Sequence, residues 1–325
     1  MQGRSVEEYR APLFLAWQLT NRCGARCIAC CEESGPNLGW PDELTRDEAL
    51  DLAGRIVASG VPYAAFGGGE PLEVPHCWEI FEILSRGGVA LKLETDGSRV
   101  DVAAADRLAS LGVECIQISV DGASAAVHEQ VRPGSSFAAA MSAITRLVER
   151  GLAPQLVFVP TRSNLHDVVA TYDLAEQLGC SAFVTGPTMR IGRAALDWSR
   201  IACDPEQWQR SVAELRTHAA SRSSGMALAI YPWDILTELA RRLESPQAML
   251  LVVPNGRVKL LNALPFAPAD LRRDSLAAAW DAYRRAWRSR EVRDFIDACH
   301  ADPALLRHAN ETWALGTSEA LSHRA

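Results

Sequence analysis

Leu19-Thr20-Asn21-Arg22-Cys23-Gly24-Ala25-Arg26-Cys27-Ile28-Ala29-Cys30 is the stretch that decides how this chain folds. It follows an apolar run, residues 13–19, that reads as a β-strand, so the three cysteines fall on the loop at that strand's carboxyl end. Iron–sulfur clusters are held by cysteine thiolates, and a cubane carries four irons. Three closely spaced thiolates hold three irons and leave the fourth open to a small molecule. The next strand, 63–66, ends in Gly67-Gly68-Gly69-Glu70-Pro71. Glycines there let backbone carbonyls approach a ligand, and Glu70 adds an acceptor for a cation.

Other uses of the cysteines fit less well. A structural zinc site takes four ligands, usually as two separated pairs, and the only further thiol nearby is Cys31, next to Cys30 in the chain. The chain has nine cysteines, an odd number, and residues 1–10 are polar. That argues against both a disulfide framework and a secretory segment. Unpaired thiols fit a reducing compartment, so the expected localisation is cytoplasmic. No apolar run reaches membrane-span length. The net charge is −7 with scattered basic residues, unlike the positive surface that nucleic-acid backbones require. Neither a membrane nor a nucleic acid is an expected partner.

Outward from the cysteine loop, strand-like and helix-like segments alternate. Thr45 and Glu48 form a T-x-x-E capping box for a helix that Gly60 ends. Strands at 89–94, 115–120, 156–160 and 182–185 are separated by helical patterns at 78–86, 102–111, 137–150 and 165–178. Regular βα alternation implies a parallel sheet with crossover helices. Buried parallel strands are expected to be apolar throughout. The α/β pattern predicts a partial barrel of six βα units over residues 1–195. Every motif lies at a strand's carboxyl end, where parallel α/β folds place their sites. After residue 195 the pattern changes. Asp204-Pro205 starts a long helix, another starts near Pro232, and an Asn255-Gly256 turn joins the two halves of a hairpin, 249–253 and 257–261. A helix at 276–288 follows.

The C-x3-C-x2-C spacing and the Gly-Gly-Glu-Pro loop together resemble the radical S-adenosylmethionine (radical SAM) superfamily. Ile118-Ser119-Val120-Asp121-Gly122, with His128 and Arg132 downstream, resembles its SPASM-type branch. The resemblance implies a [4Fe–4S] cluster on Cys23, Cys27 and Cys30, with S-adenosylmethionine (SAM) on the open iron. A register using Cys31 as third ligand stays open. It further implies cofactor contacts from Gly68, Gly69, Glu70, Pro71, Thr95, Ser119 and Arg132, whose fork suits a carboxylate. Asn164 is either another such contact or a helix N-cap. Ala29 stands where the superfamily usually has an aromatic residue, and Asp96 where it often has asparagine.

The hairpin and the segment after it are similar to the SPASM template, yet Leu260 and Leu261 occupy the neighbourhood of its first cluster cysteine. Beyond Cys203 the only cysteine is Cys299. Residues 196–325 are therefore expected to be a SPASM/twitch-like appendage without an auxiliary cluster. Its lack favours a redox-neutral outcome. Overall resemblance points to antibiotic-pathway enzymes of the cytosylglucuronate decarboxylase type, acting on a sugar or nucleoside, with flavodoxin or ferredoxin as reductant. Such a uronate substrate needs a cation, for which Arg190, Arg193 and Lys259 are candidates, surface ion pairing being the alternative for the two arginines. The competing readings are a radical SAM peptide maturase, a sugar dehydrogenase or epimerase, and a non-catalytic iron–sulfur protein.

Overall fold

A computed structural model describes residues 6–315; residues 1–5 of the polar N-terminal stretch lie outside it. Ten strands form one sheet: β1 (Phe14–Thr20), β2 (Tyr63–Gly68), β3 (Ala90–Thr95), β4 (Cys115–Ser119), β5 (Gln155–Phe158), β6 (Ala182–Thr185), β7 (Ala227–Ile230), β8 (Met249–Val252), β9 (Arg257–Lys259) and β10 (Ala269–Asp270). Their order is β10-β9-β8-β1-β2-β3-β4-β5-β6-β7. The run from β8 to β7 is parallel throughout, and β9 and β10 add an antiparallel edge. This is a mixed α/β architecture, a single sheet whose edge strands are β7 and β10.

Two strands lengthen the six-unit pattern. β7 is only Ala227-Leu228-Ala229-Ile230, too short for its alternation to stand out from the sequence. β8 was legible as half of a hairpin, but not its parallel pairing with β1, where Phe14 faces Met249. The sheet thus runs without a break past residue 195, since β7 pairs with β6 and β8 with β1.

The helix Arg46–Ser59 shows why the crossovers form. Both hydrogen bonds of the Thr45/Glu48 capping box are present, and Gly60 ends the helix at φ 73°, a left-handed conformation that costs glycine little. Ala49, Leu52, Ala53 and Ile56 form its buried face. Full burial of each larger side chain contributes about 1.5–3 kcal/mol. A helix absent from the sequence pattern, Ala125–Val131, follows β4 and delivers Arg132 as its C-cap.

The strands are not apolar throughout. Their outward side chains, such as Leu15, Trp17, Leu93, Ile118 and Phe158, are buried under the helices. The inward side chains of the central strands include Gln18, Lys92, Glu94, Gln117 and Gln155. Gln117 donates to Gln155 across β4 and β5 at 2.8 Å. Lys92 pairs with Glu94 on β3 at 2.7 Å. Inward side chains such as Gln18, Lys92 and Glu94 line a cavity, so apolarity is needed on one side only. Among the described residues no helix is long and apolar enough to cross a membrane.

Candidate active site

The loops after β1, β2, β3 and β4 converge on one cavity of about 310 Å3. Cys23, Cys27, Cys30, Gly68, Gly69, Glu70, Thr95, Asp96, Ser119 and Arg132 all line it. Ala29 and Cys31 are part of the wall as well.

The cysteine loop is pinned from several directions. Cys23 N–H donates to Gly35 O, and Ile28 N–H to Val131 O at 2.9 Å. Glu43 accepts from the Asn21 and Trp40 amides at 2.8 and 3.0 Å, and from the Thr20 hydroxyl. Donors also point at sulfur: the Ser34 amide lies 3.3 Å from Cys30 Sγ, and Arg132 Nη1 lies 3.5 Å from Cys27 Sγ. Burial pushes the Cys23 thiol up to about 12 and raises that of Cys27, the latter against the pull of Arg132. Bare thiolates are therefore disfavoured, and a bound cation would offset that cost. Among the described residues no three His, Cys, Asp or Glu side chains converge as a mononuclear metal site would require. A cubane instead offers each thiolate its own iron, so three spaced thiols around one cavity fit a cluster better than a single ion. Cys31 packs toward the apolar core, and burial raises its thiol.

The glycine loop docks edge-on against the cysteine loop. Gly69 N–H donates to Thr20 O at 2.7 Å and Glu70 N–H to Arg22 O at 2.8 Å. A Cβ on Gly69 would stand 1.9 Å from Arg22 O, and Gly68 sits at φ 100°. Only glycine fits both positions. The Glu70 carboxylate is nearly fully buried and accepts from the Thr95 hydroxyl, the Asp96 amide and the Leu72 amide at 2.9–3.1 Å. Burial, then repulsion from Asp96, raises it to about 8. Glu70 and Thr95 thus tie the β2 and β3 loops together. Pro71 opens the short 3-10 turn behind them.

Arg132 forms a 2.6 Å ion pair with Asp121, and both side chains are largely buried. Burial opposes the guanidinium charge, but Asp121 and Cys27 more than offset it and raise its pKa. Asp121 also accepts from the Val159 amide at 2.7 Å. His128 is fully buried between the Asp121 amide and the Ser135 hydroxyl. Asn164 lies just behind the wall, its amide donating to Asp121 O and Val159 O at 3.0 and 3.1 Å. It makes no helix-capping bond.

The three cations expected to meet a substrate anion are dispersed. Arg193 Nη1 donates to Cys27 O at 2.5 Å, Nη2 to Ser34 O at 2.7 Å and its amide to Cys30 O at 2.9 Å. It is a staple on the cysteine loop. Gly192 at φ 55° makes this approach possible, since a Cβ there would lie 2.2 Å from Cys31 O. Lys259 is almost fully buried and donates to Ala309 O. Burial lowers it to about 8, against the pull of Glu32. Arg190 lies over the Trp198 ring, 5.7 Å from its centroid, in a separate groove outside the strand ends. Sequence reasoning missed Asn310, which donates to Cys31 O and Glu33 at 2.9 and 2.8 Å. At a sequence separation of 279 from Cys31, no local signal links Asn310 to the loop.

This site and fold agree with the relatives that comparison finds. Residues 17–175 match the family model of the Radical SAM superfamily, and this part of the chain is a radical SAM domain. The mycofactocin maturase MftC of Mycobacterium ulcerans is 32% identical over 203 residues, 61% of this chain and 54% of the relative. The AdoMet-dependent heme synthase of Methanosarcina barkeri is 31% identical over 175 residues, 53% of this chain and 50% of the relative. The chain spans about half the length of these curated relatives. In fold it is similar to Streptococcus suis SuiB, solved bound to the precursor peptide SuiA. That match has a TM-score of 0.69 at 12% identity, covering 88% of this chain and 69% of SuiB. Radical SAM proteins use a [4Fe–4S] cluster and SAM, and SuiB has also been solved bound to S-adenosylmethionine.

Proposed function

We propose that this enzyme is a maturase that abstracts a hydrogen atom from a peptide substrate. The observation that carries the chemistry is the convergence of three thiols, the glycine loop, Ser119 and Arg132 on one cavity. The peptide part rests on the likeness to mycofactocin maturase. Cys23, Cys27 and Cys30 would hold the cluster. When bound, the cluster and SAM supply one electron and a 5′-deoxyadenosyl radical able to take hydrogen from carbon. The protein's own part is placement. The Gly67–Gly69 backbone and Ser119 would form the floor for SAM, and Arg132, oriented by Asp121, would pair with its carboxylate. Arg193 and Asn310 hold the loop carbonyls so that the sulfurs face inward. Flavodoxin or ferredoxin is the proposed reductant.

The second reading is decarboxylation of a uronate nucleoside such as cytosylglucuronate, favoured by the chain's lack of a cysteine between Cys203 and Cys299. It has to place the uronate without Arg193 or Lys259, which are already engaged within the protein. Reconstituted protein, SAM and dithionite under argon test both. 5′-Deoxyadenosine formed with turnover of a peptide encoded beside this gene supports the maturase reading. Turnover of cytosylglucuronate with loss of CO2, and of no peptide, overturns it.

A further inference from the structure

Beside the cofactor cavity lies a second, lumen chamber of about 340 Å3. Its walls are side chains of β1 to β3, together with Met189, Tyr231 and Glu238. The two cavities share Glu32, Gly67, Gly68, Glu94 and Asn262. These five residues form the boundary between the lumen chamber and the cofactor cavity. The geometry points to a substrate group at this neck that carries positive charge, an ammonium or guanidinium, received by the carboxylate of Glu94. This assignment rests on the radical SAM reading of the adjoining cavity and deepens it by naming the substrate's chemical class.

Three observations support it. The two charged side chains that line both cavities, Glu32 and Glu94, are carboxylates. A cationic group beside Glu94 is attracted there, whereas a substrate anion is repelled. Second, Glu94 keeps capacity to accept. Lys92 engages Oε1 at 2.7 Å, and the side chain is 50% exposed to the cavity. Oε2 lies over Gly67, where a Cβ would stand 3.0 Å away. An ionised carboxylate has about four acceptor positions, and a bond to an ammonium there is charge-assisted. Third, the nearby cations are spoken for. Lys92 is paired with Glu94, Lys259 with Ala309 O, and Arg193 with the carbonyls of Cys27 and Ser34. Arg190 opens onto the other groove.

The test uses reconstituted full-length protein with SAM and dithionite, reading 5′-deoxyadenosine formed above the probe-free rate. The probes are capped Gly-Gly-X-Gly-Gly peptides with lysine, glutamate or norleucine at X, together with glucosamine and glucuronate. An amine probe is expected to stimulate release at a concentration about tenfold below its carboxylate counterpart. Glu94→Gln, with unchanged iron content, is expected to lose that preference, and Glu94→Arg to reverse it. A preference for carboxylates, no preference, or no stimulation by any probe overturns the proposal, as does an unaltered preference in both variants. Stimulation by glucosamine but not by the lysine peptide overturns the peptide reading while supporting the cationic group.

Discussion

The cofactor cavity and the lumen chamber meet at Gly67, but they are built in opposite ways. Around the cofactor cavity, side chains are mostly engaged with one another: Glu70 with Thr95, Arg132 with Asp121, Asn164 with Asp121 O, Arg193 with Cys27 O. What that cavity offers a ligand is sulfur, backbone and one guanidinium edge. The lumen chamber offers side chains, among them Gln18, Lys92, Glu94 and Asn262, standing on strands or just after them. A shared cofactor calls for a fixed backbone cradle. Substrate choice calls for side chains that can change without disturbing that cradle.

The largest expected effect lies on the cofactor side. Replacing Cys23, Cys27 and Cys30 by alanine should take iron from about four per chain to near none. Iron retained in the triple variant would remove the cavity from the comparison altogether. Arg132→Ala comes next. It strips a buried partner from Asp121, and breaking such pairs costs about 3–5 kcal/mol, read as a fall in denaturant midpoint. Arg132→Lys isolates the ligand's share: losing a charge-assisted contact worth roughly 1.5–3 kcal/mol should weaken SAM binding by about ten- to a hundredfold. Unchanged SAM affinity in the lysine variant would mean that the guanidinium serves Asp121 alone. Gly69→Ala drives a methyl into Arg22 O and should cost about 1–3 kcal/mol, together with SAM affinity, while leaving the lumen residues in place.

The smallest effects belong to the outer rim. Thr45→Ala removes half of a capping box and should cost about 0.5–2 kcal/mol without altering iron content. Glu48, hydrogen-bonded first by Arg272 and then by Thr45, is held down at about 2 from 4.5. A lowered carboxylate pKa contributes stability above its unfolded value, and that contribution is lost as pH falls from about 4.5 toward about 2. Exposure and salt keep the contribution small. The gap between the melting curves of Arg272→Met and the parent should be wider at neutral pH than at the acid end, where the bonds of Arg272 to the Asn255 and Asp42 carbonyls still separate them.

How far the sequence could be read follows the same division. The cysteine loop, the glycine loop and Ser119 lie at or directly after a strand end, so their convergence follows from βα topology, whereas Arg132 is brought back to the site by the helix Ala125–Val131. The capping box, Gly60 and the Asn255-Gly256 turn were legible because their signals are local. Arg193 was legible as a cation near the site, but not as a staple: its partners are backbone carbonyls more than 150 residues away, and carbonyls leave no trace in side-chain identity. Lys259 looked free on a hairpin until the fold folded Ala309 over it. Lys92 and Glu94 sit in a strand whose other face is apolar, and alternation alone cannot say whether the polar face meets solvent or a lumen. β7 was too short to register at all.

The stapling of the cysteine loop has a consequence for biosynthesis. Arg193 stands 166 residues after Cys27, and Asn310 stands 279 after Cys31. At translation rates of about 5–20 residues per second, Arg193 is made on the order of ten to thirty seconds after Cys27. Closing such long loops is also entropically disfavoured until other contacts have formed. Throughout that interval the nascent thiols hang on an unfastened loop, open to oxidation and to stray metals. Iron delivery before the chain is finished would load a site that cannot yet hold its shape. The loop can take its fastened shape only once Asn310 has been made and has folded back onto it.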